Sequence, residues 1–137
     1  SVRSPLWRKG GIVFGPKKDR NFSKKINRKV RQKAVKLALS EKVRSGTIRI
    51  VDSLLLPEWK TKHVAATLSS LAIAGKSTVL AFTKGETGID RASGNIPKVS
   101  PLSVHTLNAK ELLDHQFLLM STGAVADLEK RCVEAIS

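Results

Sequence analysis

The hydrophobic and polar positions change their rhythm several times along the 137 residues. Residues 1–22 (SVRSPLWRKGGIVFGPKKDRNF) have no period at all, because Pro5, Pro16, Gly10, Gly11 and Gly15 interrupt any helix or long strand. Leu6, Trp7, Ile12, Val13 and Phe14 nevertheless lie between those breakers, and a plain linker would lack them. The pattern predicts an irregular arm with too few apolar groups to offset the ~1–2 kcal/mol that ordering each residue costs. Such an arm is expected to be mobile until it docks on a partner.

The period becomes helical after Ser23, a good N-cap, and the next breaker is Gly46. Ile26, Val30, Ala34 and Leu37 recur at spacings of four, four and three, which predicts one apolar stripe on a helix over residues 23–45. Lys25, Lys29, Lys33 and Lys36 repeat those spacings on a second face, and Lys24, Arg28 and Arg31 make a third row.

From residue 47 short β-branched or apolar runs alternate with helical patterns. Thr47–Val51 reads as a strand, and Thr61 caps a helix through Val64, Leu68 and Leu71 to Gly75. Thr78–Thr83 (TVLAFT) is continuously apolar, as in a strand covered on both faces. Lys84–Gly94 is polar and reads as a turn or short helix. Val99–Leu102 contains Pro101 and belongs at a sheet edge. Asn108 caps a helix through Leu112 and Leu113, and Phe117–Met120 (FLLM) is a fourth buried strand. A last helix carries Ala124, Val125, Leu128, Cys132 and Ile136. The fold class is therefore α/β: a three-layer α/β/α domain with a four-stranded, mostly parallel sheet. Two regions follow, an arm over 1–22 and a globular domain over 23–137 that includes the helix at 23–45.

Charge changes the picture. The net charge is +14, and residues 1–50 hold sixteen Lys and Arg against only Asp19 and Glu41. Residues 51–137 carry nine charges of each sign, so the whole excess lies in the front end. A neutral body behind a strongly basic front is the footprint of nucleic-acid binding. Arg3, Arg8, Lys9, Lys17, Lys18 and Arg20 are interleaved with apolar residues and glycines. Gly10 and Gly11 would let backbone approach a phosphate, and Trp7 offers a face for stacking. Lys24, Lys25, Arg28, Lys29 and Arg31 extend the cationic surface onto the helix, where like charges repel unless a polyanion neutralises them. Folded RNA, with crevices, splayed bases and 2′-hydroxyls, suits so irregular a surface.

The remaining chemistry is sparse. Gly75-Lys76-Ser77-Thr78 resembles the end of a phosphate-binding loop, but position 70 is Ser where that motif needs Gly. A helix also enters this turn and a strand leaves it, the reverse of the order that motif requires. His63, His105 and His115 have no metal-ligand spacing, and Cys132 sits among apolar residues as a core thiol. Asp52 follows a strand but has no second carboxylate nearby. No catalytic constellation, metal site or cofactor site is predicted. A single cysteine excludes an internal disulfide and fits a reducing compartment. No run approaches the ~18 apolar residues of a membrane helix, and no signal-peptide core follows Ser1. Ser1 in place of an initiator Met reads as a processed or partial chain.

Trp7-Arg8-Lys9-Gly10-Gly11-Ile12-Val13-Phe14-Gly15-Pro16 resembles the signature that ends the long loop of the universal large-subunit ribosomal protein four family. Asn27–Arg31 and Ala38–Lys42 are similar to that family's long basic helix, and Ile50–Leu54 to its first core strand. The resemblance implies a structural constituent of the large ribosomal subunit that binds and organises ribosomal RNA. Its α/β domain would lie at the ribosome surface, and Arg3–Pro16 would be the returning limb of a loop directed toward the peptide exit tunnel. Implied partners are large-subunit ribosomal RNA and neighbouring large-subunit ribosomal proteins; the family's N-terminal portion is absent from this sequence, and a separate chain that supplies it is one alternative beside a fragment of a longer chain. Asp114-His115-Gln116, and Lys9 where bacterial members usually have Gly, lean toward a mitochondrial ribosome, with bacterial cytoplasm or plastid as alternatives. Two other classes compete: a doubly wound α/β enzyme, and a free RNA-binding regulator or chaperone.

Overall fold

A computed structural model describes residues 3–54, 58–86 and 88–134 of the chain. Helix α1 (Arg28–Arg44) leads into strand β1 (Ile48–Val51), then α2 (Thr61–Ser70) and β2 (Thr78–Phe82). After these come α3 (Ile89–Ser93), β3 (Val99–Ser103), α4 (Ala109–Asp114), β4 (Phe117–Ser121) and α5 (Thr122–Glu134). The sheet order is β1-β4-β2-β3, and every pair is parallel. Parallel neighbours need a crossover, and α2, α3 and α4 supply one between each successive pair of strands.

Both sheet faces are covered, which explains the unbroken apolar runs of β2 and β4. On one face Val79, Ala81, Leu118 and Met120 pack with Val35 and Ala38 of α1, Leu112 of α4, and Ala124 and Leu128 of α5. On the other, Leu80, Phe117 and Leu119 pack with Val64 and Leu68 of α2 and Ile89 and Ala92 of α3. The three layers are therefore α1/α4/α5, the sheet, and α2/α3. Pro101 lies in β3 at a sheet edge, where a missing N–H costs least. The Asn108 side chain accepts a bond from Glu111 N at 2.9 Å, as its position before α4 predicts.

Three expectations need correction. Helix α1 begins at Arg28, five residues after Ser23, and its N-cap is Asn27, with no side-chain cap bond. The Ser23 hydroxyl and amide instead donate to Asn21 Oδ1, at 2.7 and 2.9 Å. Lys24 and Lys25 would also have stood at the positive pole of the helix, where cations are disfavoured. The second correction concerns direction. Ile26, Val30 and Leu37 are 55%, 57% and 61% exposed, whereas Val35 and Ala38 are 8% and 6% exposed and face the sheet. The expected stripe points away from the core. The third concerns α2, in which Thr61 is the first helical residue and not the cap. That helix stops at Ser70, well short of Gly75, because Ala72 adopts φ +56°. Ile73 N then bonds back to Leu68 O at 3.0 Å, which closes a Schellman turn, and both side chains are buried together. Ile136, assigned to the last helix, and Thr87, in the polar stretch before Gly94, lie outside the described residues.

Two polar contacts tie neighbouring elements together. The Lys42 ammonium donates to the carbonyls of His115 and, at 2.8 Å, Gln116, which fastens α1 to the end of α4. Partial burial holds this lysine below its ordinary pKa of 10.5. The buried Glu86 carboxylate accepts from Leu54 N at 3.1 Å and Thr83 N at 2.9 Å, which joins the loops that leave β1 and β2.

Candidate nucleic-acid interface

The arm is built from turns. Trp7 N bonds Ser4 O at 3.0 Å, Gly10 N bonds Trp7 O at 2.8 Å, and Gly11 N bonds Arg3 O at 3.0 Å. These three bonds close residues 3–11 into a small knot. A side chain at Gly10 would put its Cβ 1.8 Å from Ser4 O, so only glycine fits. Gly10 is therefore required by the arm's own turn. Lys9 adopts φ +68°, a left-handed conformation that glycine takes freely and lysine takes at a cost of ~1–2 kcal/mol. That strain holds a cation at the tip of the turn.

The six arm cations, Arg3, Arg8, Lys9, Lys17, Lys18 and Arg20, are all exposed, as are Lys24, Lys25, Arg28, Lys29 and Arg31. Among the described residues none of these eleven takes part in an ion pair with a carboxylate. Lys17 lies 5.9 Å from the Phe14 ring and Arg20 5.1 Å from the Phe22 ring. Leu6, Trp7, Ile12, Val13, Phe14 and Phe22 are exposed beside them. The surface thus alternates bare cations with bare apolar and aromatic groups.

Helix α1 continues that surface. Its first turn contains no acid, and Arg31 N makes the first helical bond, to Asn27 O at 3.1 Å. Lys29, Lys33 and Lys36 follow one another at helical spacing, although Lys33 and Lys36 were left out of the site predicted from sequence. At its other end Gly46, at φ +64°, stops the helix as expected, and Val35, Ala38 and Lys42 anchor this half to the body.

The other candidates fall outside this surface. The Gly75–Thr78 turn does join a helix to a strand, and Lys76 lies 5.1 Å from the Phe117 ring. His115 is held by Ser100 Oγ at 2.9 Å and Glu111 O at 3.0 Å. Asp52 is exposed, and its carbonyl accepts from Thr122 Oγ1 at 2.9 Å. Cys132 is only half-buried, so it is not the core thiol its apolar neighbours suggested. Among the described residues no helix is long and apolar enough to cross a membrane.

Residues 1–131 match the family described as ribosomal protein L4/L1. The chain belongs to that family. The large ribosomal subunit protein uL4 of Carboxydothermus hydrogenoformans is 42% identical over 130 residues, which cover 95% of this chain and 62% of the relative. The uL4 protein of Syntrophomonas wolfei shows the same identity and coverage. That of Desulfovibrio desulfuricans is 37% identical over 131 residues, covering 96% of this chain and 61% of the relative. The chain thus spans about three-fifths of the length of the curated relatives it matches. These L4/L1 family members are bacterial, so the mitochondrial assignment drawn from Lys9 and Asp114-His115-Gln116 gains no support from them.

Proposed function

We propose that this L4/L1 family chain is a structural component of the large subunit of a bacterial-type ribosome, where it binds and organises ribosomal RNA. The observation that carries the reading is the run of eleven exposed cations from Arg3 to Arg31, none in an ion pair among the described residues, with Asp19 the one acid between them. Phosphates from several RNA segments neutralise these cations and are held together by them. Trp7, Phe14 and Phe22 take unstacked bases or pack in RNA crevices. The turn at residues 3–11 carries its cations inward from the surface, along the path that leads toward the peptide exit tunnel. Val30 and Leu37, turned outward on α1, and Ile26 just before it receive a neighbouring large-subunit protein or a separate chain that completes the family's N-terminal half. The body scaffolds this surface and catalyses nothing.

Co-sedimentation of the full chain with large subunits after a high-salt wash tests the assignment. In a second test Arg3, Arg8, Lys9, Lys17, Lys18 and Arg20 are all replaced by Gln in the full chain. If all six touch phosphate, the slope of log K against log salt falls by roughly four to five units. An unchanged slope would refute the role given to the arm.

A further inference from the structure

A groove of about 330 Å³ lies between α1, α5 and the residues that lead into α4. That volume falls in the range of small-molecule sites, roughly 300–1,000 Å³. Buried Val35, Leu107 and Leu128 give it an apolar floor. Arg28 and Arg31 from α1 and Arg131 from α5 supply three guanidinium groups, and no Asp or Glu lines it. Arg131 is fixed in place: its Nη1 donates to Val104 O at 2.7 Å and Leu107 O at 3.0 Å. Those two bonds use both Nη1 protons and leave the Nε–Nη2 edge, the edge that grips an anion with two parallel bonds.

We propose that this groove holds one unstacked nucleotide of RNA. The inference rests on the RNA-binding reading above and extends the interface from the arm to the α/β body. A ligand that fills the groove needs a flat, largely apolar part for the floor and an anion for the guanidinium groups. A phosphate ion or a carboxylate side chain satisfies only the second requirement. A nucleotide satisfies both, with its base against Val35, Leu107 and Leu128 and its phosphate among the arginines. The planes of Arg28 and Arg31 are also suited to stack on a base. A base held this way must be splayed out of its helix, so the groove selects a bulge, loop or end of folded RNA over a continuous duplex.

Cys132 lines the groove and is the chain's one cysteine, which makes it a reporter. The rate at which a maleimide alkylates it is measured with short single-stranded RNA of mixed sequence and with polyglutamate of similar charge. RNA is expected to slow alkylation saturably, and polyglutamate is not. The complementary experiment blocks Cys132 with a bulky maleimide, which fills the groove and leaves every cation in place. RNA affinity should then drop about tenfold, the scale of one lost base contact, with the salt slope falling by no more than about one unit, that of a single phosphate. A thermal melt establishes that the blocked chain is folded. Arg28→Lys with Arg31→Lys, at exposed positions, keeps the charge and removes the forks, and should weaken binding severalfold at the same slope. Full RNA affinity in the blocked chain, or equal protection by polyglutamate, overturns the groove and leaves the arm's role standing. Absence of RNA binding by the unblocked chain overturns both.

Discussion

Replacing Glu86 with Ala removes a carboxylate that two loops share. The group is 7% exposed, and its two oxygens accept separately from Leu54 N at 3.1 Å and Thr83 N at 2.9 Å. Bonds to a charged acceptor contribute about 1.5–3 kcal/mol each, so losing both would cost ~3–6 kcal/mol if nothing replaced them. The site lies just under the surface, and water entering the gap recovers part of that. The expected net loss is ~2–4 kcal/mol, which for a domain of this size lowers Tm by roughly 6–15 °C. Glu86→Gln should fall between wild type and Ala, because the amide offers one acceptor oxygen and turns an NH2 toward the other backbone N–H. Thermal melts and urea titrations measure both, with RNA affinity followed in parallel and expected to hold. A Tm change under about 2 °C for Ala would show that the two bonds contribute nothing of the kind. Lost RNA binding at an unchanged Tm would make Glu86 part of the binding surface and refute its purely structural role.

Three further outcomes are expected. Val35→Ala should destabilise by about 1–2 kcal/mol and Leu37→Ala by less than about 0.5 kcal/mol, because only the first faces the sheet; urea midpoints compare them. Ala72→Gly should stabilise by about 0.5–1 kcal/mol by relieving the left-handed strain that ends α2, again read from urea unfolding. Burial lowers the Lys42 pKa below 10.5, so just beneath that pH the unfolded chain binds more protons and stability from this group rises with pH. Lys42→Met should abolish that rise in a series of alkaline urea titrations.

Most of the body was legible in the sequence because both sheet faces are covered. VLAF and FLLM needed no decision about which residues point inward, since every position is apolar. Pro101 announced an edge strand, and Asn108 a helix start. The basic front end was legible from charge alone. The two faces of α1 were not, because Ile26-Val30-Ala34-Leu37 and Val35-Ala38-Leu39 both keep helical spacing, and only docking on β4 and β2 chooses between them. The start of α1 was misread because Ser23 satisfies Asn21 and not the helix. Ala72 in a left-handed turn carries no compositional signal, and Gly75 drew attention in its place. Glu86 was hidden in a polar stretch whose partners are backbone amides, invisible to side-chain pattern. The groove joins Arg28 to Arg131 across most of the chain, a proximity that no local spacing encodes.

In helix α1 local instability and the proposed binding fall on one feature. Its C-terminal half is held three ways: by Val35 and Ala38 against the sheet, by the Lys42 ammonium on the end of α4, and by the turn at Gly46. Its N-terminal half has no side-chain cap, no acid in the first turn and cations at the positive pole of the helix. Each of these opposes helix formation, by up to about 1 kcal/mol apiece. An anion at that end reverses all three effects together, since phosphate oxygens accept from the free amides, complement the dipole and neutralise Arg28 and Lys29. The anchored half therefore gives the arm a fixed origin on a neutral body. The uncompensated half concentrates the cost of like charge where a polyanion would remove it.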